Sequence, residues 1–143
     1  MPSTPPDFFF KVMTRTHNFL YHLSRGKIGK SMQGMPVLLL TTIGRKSGQS
    51  RTTPLVYLRD DDDYLIAASK GGSDSHPAWY FNLEAAPEVK VQVGDQAFAA
   101  KVTVTKGDER DQLYERFKTL GDNFVTYEQM TQRTIPVVRL TPT

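Results

Sequence analysis

The segment EVKVQV-GD-QAFAAKVTVT, residues 88–105, alternates apolar and polar side chains on both sides of a Gly94–Asp95 dipeptide. Alternation with a period of two gives a strand one apolar and one polar face, and a two-residue glycine-containing link returns the chain antiparallel. Neighbouring segments repeat the theme. Residues 36–43 (PVLLLTTI) read as a buried strand, and 52–59 (TTPLVYLR) as its partner across a glycine-bounded turn at 44–48. Residues 64–69 (YLIAAS) read as a third strand after the acidic turn 60–63, and 136–140 (PVVRL) as a closing one. Helical spacing is confined to four places: 7–25, a short stretch at 77–86 begun by Pro77 and stopped by Pro87, 108–120, and 124–132. Strands therefore follow one another in antiparallel pairs instead of alternating with helices. That pattern argues against a doubly wound sheet and for a mainly β fold with some α: a small barrel of about six antiparallel strands with helices on its outside.

A chain of 143 residues suits one domain. We divide it into a tail and amphipathic helix at 1–25 and a barrel domain at 26–143. The absence of cysteine excludes disulfides, thiolate metal sites and a cysteine nucleophile. His17 and His22 are five apart, which is not the spacing of two ligands on one helical face, so no metal site is expected. No apolar run approaches the ~20 residues that cross a bilayer, and no secretory leader is legible. The expectation is a cytoplasmic protein, with peripheral contact at the inner face of the membrane as one reading of the basic, Phe-rich helix at 7–25; packing on the barrel is the other.

The net charge is only +3, yet residues 8–59 hold nine of the 18 Lys and Arg and no Asp or Glu. One-signed charge over such a stretch suits an anionic partner. It is densest in Gly44-Arg45-Lys46-Ser47-Gly48-Gln49-Ser50-Arg51. Glycines there would let backbone N–H groups converge on an anion, Arg45 and Arg51 could grip phosphate or carboxylate as forks, and Lys46 would add a point charge. An exposed basic hairpin turn is the plainer alternative. Lys46-Ser47 does not make a phosphate-binding P-loop, because Arg45 stands where glycine is required and a strand follows. Two further segments stand out. Ala67-Ala68-Ser69-Lys70-Gly71-Gly72 puts small residues, a hydroxyl and a cation at a strand end; in Pro77-Ala78-Trp79-Tyr80-Phe81-Asn82-Leu83 three successive aromatics cannot all face one core. The acidic run 60–63 reads as a solvated turn. No nucleic-acid-binding motif is present, and no nucleic-acid partner is expected.

Taken in order, GRKSG, ASKGG, PAWYFNL and RTIPVVRL resemble the deazaflavin-dependent nitroreductase family of actinobacteria, over about residues 35–140. The resemblance implies a split β-barrel of the FMN-binding kind, and as cofactor F420, a deazaflavin with a phosphate, a lactyl group and a γ-linked glutamate tail. It implies that Arg45, Lys46, Ser47 and Arg51 hold the phosphate and acidic tail. Thr52, Thr53, Pro54, Leu55 and Val56, with Ala67, Ala68 and Ser69, would line the deazaflavin, Lys70 would lie at its edge, and Ala78, Trp79, Tyr80, Phe81 and Asn82 would close the pocket. The implied chemistry is hydride transfer from the reduced cofactor to an organic acceptor, with Ser69 and Tyr127 as candidates for hydrogen-bonding the acceptor or supplying a proton. Val56, Phe124 and Tyr127 fall on the acceptor side. The nitroimidazole-activating member of that family has tyrosine at the positions of Val56, Gly121, Phe124 and Tyr127, and only Tyr127 is kept here. The cofactor half matches and the acceptor half does not, so a quinone is the expected acceptor, with weak or absent nitroimidazole reduction. The rivals are the same barrel using FMN and a non-catalytic F420 carrier.

Overall fold

The computed structural model describes residues 35–143. The expected helix at 7–25, its membrane reading and the domain boundary at 25/26 lie outside the described residues. Seven strands make one antiparallel sheet: β1 (Val37–Ile43), β2 (Ser50–Val56), β3 (Leu58–Asp60), β4 (Asp63–Ala67), β5 (Glu88–Val93), β6 (Gln96–Val104) and β7 (Val137–Pro142). Helix α1 (Ala78–Ala85) lies between β4 and β5, and α2 (Gly107–Leu120) and α3 (Asp122–Met130) lie between β6 and β7. A short 3-10 turn spans Lys70–Gly72. No helix among the described residues is long and apolar enough to cross a membrane.

The spatial order β2-β1-β5-β6-β7-β4-β3 puts β2 and β3 at opposite edges. Only Tyr57 separates them in sequence, so the sheet must curl until its two edges meet. This is the split barrel that was expected, with one strand more than the six read from the sequence. The segment 52–59 is divided at Tyr57 because its first half pairs with β1 (Val37 opposite Val56) and its second with β4 (Leu58 opposite Leu65). Pro54 is tolerated because β2 has an unpaired side on which no N–H is needed.

Alternation then sorts the core. Tyr64 and Ile66 of β4 and Val138 and Leu140 of β7 point into the barrel with Leu38, Leu40, Val89, Val91 and Ala100. Leu65, Ala67 and Val137 point outward and are covered by Leu113, Tyr114 and Phe117 of α2 and Phe124 of α3. The Tyr114 hydroxyl donates to the Phe124 carbonyl oxygen at 2.7 Å, which ties the two helices; burial pushes this phenol up to about 12. The acidic turn is not wholly solvated as expected. Asp61, at φ +53°, and Asp62 form the loop, but Asp60 and Asp63 accept from Arg139 at 2.9 and 3.0 Å, and Glu109 of α2 joins the same guanidinium at 3.0 Å. Hydrogen bonding from Arg139 holds the Asp60 carboxyl below its usual range.

Candidate active site

The basic turn between β1 and β2 is built differently from the sequence expectation. The Gly44 N–H donates to the Gln49 carbonyl and the Gly48 N–H to the Gly44 carbonyl, both at 2.8 Å. The Gln49 N–H donates to Ser47 Oγ at 3.2 Å, and the Arg45 N–H to Asn82 Oδ1 at 3.0 Å. Four backbone donors are thus consumed inside the protein and do not converge on an anion. Gly48 is required for its φ of +72°, and a Cβ at Gly44 would lie 2.6 Å from Ser47 Oγ, forcing that hydroxyl to shift. What the turn offers a ligand is its side chains. Arg45, Lys46 and Arg51 are exposed, and none has a carboxylate partner among the described residues, whereas Arg110, Arg116, Lys118 and Arg139 are all paired. The Arg45 guanidinium lies over the Phe81 ring, 4.9 Å from its centroid, which limits its freedom without neutralising it.

These cations line a cleft of about 750 Å³ with Ser47, Ser50, Thr52, Thr53, Ala78, Trp79 and Asn82. A second, narrower cavity of about 320 Å³ adjoins it. This slot is walled by Pro54, Leu55, Val56 and Ala67, by Ser69, Lys70 and Gly71, and by Phe124 and Tyr127 of α3. Thr53 and Trp79 line both cavities, and no acidic residue lines either. Asn82, only 5% exposed, joins the walls: its Oδ1 takes the Arg45 N–H and its Nδ2 donates to Thr42 Oγ1 at 3.2 Å, so α1 is pinned to β1 and to the first cation of the basic turn. In the slot, Asn123 Nδ2 donates to the Tyr127 hydroxyl at 3.2 Å, which leaves the phenol proton free to be donated.

The structure places most of the residues named from the sequence around the two cavities and three of them elsewhere. Ala68 is fully buried and faces the barrel interior, because its neighbours Ala67 and Ser69 take the slot side. Tyr80 packs into the same core, and Phe81 is half-buried beneath Arg45 instead of lining a cavity. Gly44, Ser50, Gly71 and Pro77, which lie in the segments singled out above but were assigned no role, also line the cavities, as does Asn123, which was not singled out. Asn123 carried a usable signal, a polar residue beside Phe124 at the start of an amphipathic helix, whereas the others depend on how the walls meet.

Arg133 was also missed. It lies between α3 and β7, and its guanidinium donates to the carbonyls of Ala68 (3.2 Å from both terminal nitrogens), Ser69 (3.0 Å) and Ser73 (2.8 Å), and to His76 Nδ1 (2.8 Å). Arginine has no acceptor, so His76 Nδ1 must accept and its proton must sit on Nε2. Burial, reinforced by the Arg133 charge and opposed by Glu84, holds His76 below its ordinary value. The folded protein therefore resists a proton that the unfolded chain takes up below about pH 6.5. Stability should be flat with pH above that point and should fall as pH drops from there toward the folded-state value. Urea midpoints of the wild type and His76→Asn at neutral and mildly acidic pH check this; an identical pH slope in both would reject it.

Comparison with known proteins identifies the family. The family model for F420H2-dependent quinone reductases matches residues 13–142. An F420H2-dependent quinone reductase of Mycobacterium tuberculosis (strain H37Rv) is 42% identical over 135 residues, covering 90% of this chain and 89% of that protein. The solved structure of an F420H2-dependent reductase, FDR-A, superposes with a TM-score of 0.67 at 37% identity, over 73% of this chain and 93% of that one. The heme storage protein of Vibrio cholerae, at 16% identity and a TM-score of 0.60, shares the fold alone, over 82% of this chain and 88% of that one. The family supports F420 and lends no support to FMN. With a split barrel, a one-signed cleft and relatives of nearly full length, the chain belongs to the F420H2-dependent quinone reductase family and is an oxidoreductase.

Proposed function

We propose that the chain holds the phosphate and acidic tail of F420 in the Arg45–Lys46–Arg51 cleft and its deazaflavin in the adjoining slot, and reduces a quinone there. The observation that carries this is the junction of an unpaired cationic cleft with an apolar slot at Thr53 and Trp79. A ligand polyanionic at one end and flat at the other matches that pair of cavities. Arg45 and Arg51 bind oxyanions as forks, and Lys46 and the Ser47 hydroxyl add to them. Thr52 and Thr53 serve the boundary, Ala78 and Asn82 the cleft wall, and Pro54, Leu55, Val56 and Ala67 the ring, with Lys70 at its edge.

Reduced F420 supplies a hydride when bound. The chain's own residues bind, orient and exclude water. Trp79, 6% exposed, and Phe124, 5% exposed, keep the slot apolar, which strengthens every polar contact made inside it. Ser69 and Tyr127 both line the slot and are its hydroxyl donors toward the acceptor; the Asn123 amide holds the Tyr127 oxygen so that its proton points elsewhere. A quinone taking up a hydride develops charge on oxygen, and a positioned hydroxyl is suited to stabilise or protonate it.

Titration with F420 and with FMN, following Trp79 fluorescence, then turnover of F420H2 with a menaquinone analogue and with a bicyclic nitroimidazole, tests the reading. Tight F420 binding, much weaker FMN binding, and quinone turnover far above nitroimidazole turnover are expected, since Val56, Gly121 and Phe124 offer no hydroxyl. Preference for FMN would overturn the cofactor assignment. Binding without turnover of any acceptor would make the chain a carrier, and brisk nitroimidazole reduction would overturn the acceptor assignment.

A further inference from the structure

One loop carries Ser69 and Lys70 into the slot, and its backbone is unusual. Lys70 lies at φ +46°, followed by Gly71 at +63° and Gly72 at +85°. A non-glycine residue in the left-handed region is strained and persists only where its surroundings over-determine it. Two features do so here. Gly72 packs so closely on α3 that a Cβ would meet Met130 Sδ at 3.0 Å and Tyr127 Cα at 3.2 Å. On the other side Arg133 donates five hydrogen bonds, to the carbonyls before and after the turn and to His76 at the approach to α1.

We propose that Arg133 is the positioning residue of the slot, a single guanidinium that fixes the Ser69–Lys70 turn relative to α1 and α3 and thereby sets where the Ser69 hydroxyl meets the acceptor. The assignment of Ser69 to the acceptor rests on the function proposed above; the clamp itself does not. Arg133 lines neither the cleft nor the slot, so it acts only through what it holds. It gathers three walls. The Ala68 and Ser69 carbonyls directly follow the end of β4, the Ser73 carbonyl belongs to the loop, and His76 precedes Pro77, where α1 and Trp79 begin. His76 is itself held between the Tyr80 ring, 4.7 Å away, and the Phe81 ring, 5.7 Å away. Lysine could reach one or two of these acceptors but cannot span them, because the fork is planar and presents five donors.

The test uses the full chain and compares wild type, Arg133→Lys and Arg133→Ala. In the ligand-free protein, amide exchange of residues 69–76 should accelerate in Arg133→Ala while the β5–β6 hairpin stays protected. With F420H2 and a menaquinone analogue, kcat should fall by roughly tenfold to a hundredfold, the usual consequence of a small misplacement of reacting groups. F420 affinity should fall far less than kcat, because the tail is held at the opposite turn. Arg133→Lys should fall between, and added methylguanidinium should restore part of kcat to Arg133→Ala. Unchanged exchange at 69–76 would overturn the proposal. So would an unchanged kcat, or parallel losses of kcat, F420 affinity and melting temperature without methylguanidinium rescue. If the wild type turns over no quinone, the function reading fails, while the exchange measurement still decides the clamp.

Discussion

Replacing Arg45, Lys46 and Arg51 together with alanine should weaken F420 binding by about a hundredfold to a thousandfold, at roughly fivefold to tenfold, or about 1–1.4 kcal/mol, for each cation removed. That is below the ~1.5–3 kcal/mol typical of hydrogen bonds to charged groups, because all three side chains are exposed and water screens them. Screening supplies a second signature: wild-type affinity should decline as salt rises, and the triple variant should be nearly insensitive to it. The fold should survive, since none of the three has a carboxylate partner among the described residues and removing them leaves no buried charge behind. Trp79 quenching at low and moderate ionic strength, with far-ultraviolet circular dichroism as a control on folding, makes the measurement. A triple variant that binds within a few-fold of wild type would show that the cleft is not the anion site.

Phe117→Ala should destabilise the protein by about 3–5 kcal/mol, a large share of the 5–15 kcal/mol that holds a typical domain together. Phe117 is completely buried on the outer face of the sheet, with Leu65, Ala67 and Val137, and its ring lies 5.2 Å from that of Phe124. Truncation removes apolar burial and leaves a cavity at the seam between α2 and α3, which cannot close because the Tyr114 hydroxyl bonds the Phe124 carbonyl beside it. Urea unfolding gives the loss directly, and less than about 1 kcal/mol would mean that the helices slide to fill the void. The damage should be selective. Phe124 and Tyr127 form the α3 wall of the slot, whereas the basic turn hangs from β1, β2 and Asn82 on the other side. In conditions where the variant is still folded, quinone turnover should therefore suffer more than F420 affinity.

The hairpin and the helices among the described residues were legible because their causes are local. The β5–β6 hairpin follows from period-two alternation around Gly94–Asp95, and the observed register places Val93 opposite Gln96 across that link. Helix α2 follows from Leu113, Tyr114 and Phe117 on one face with Asp108 and Glu109 in the first turn. The cations of the basic turn were legible as residues. Their readiness for a ligand was not, because an unpaired Arg45 and a paired Arg139 look alike in a sequence, and only the folded arrangement of carboxylates tells them apart.

What the chain determined by itself was therefore its inventory: a strand-rich order of elements, an acid-free basic stretch and the motifs that mark its family. Three things were decided only in three dimensions. The curl of the sheet splits the strand expected at 52–59, since one segment must pair at both edges. Closure of the barrel sets which face of each strand is interior, which turned Ala68 inward and left Ala67 and Ser69 to line the slot. Finally, Arg133 meets carbonyls 60 or more residues earlier in the chain, and backbone carbonyls carry no residue identity. No pattern of side chains announces such a clamp, because its acceptors are atoms that every residue has.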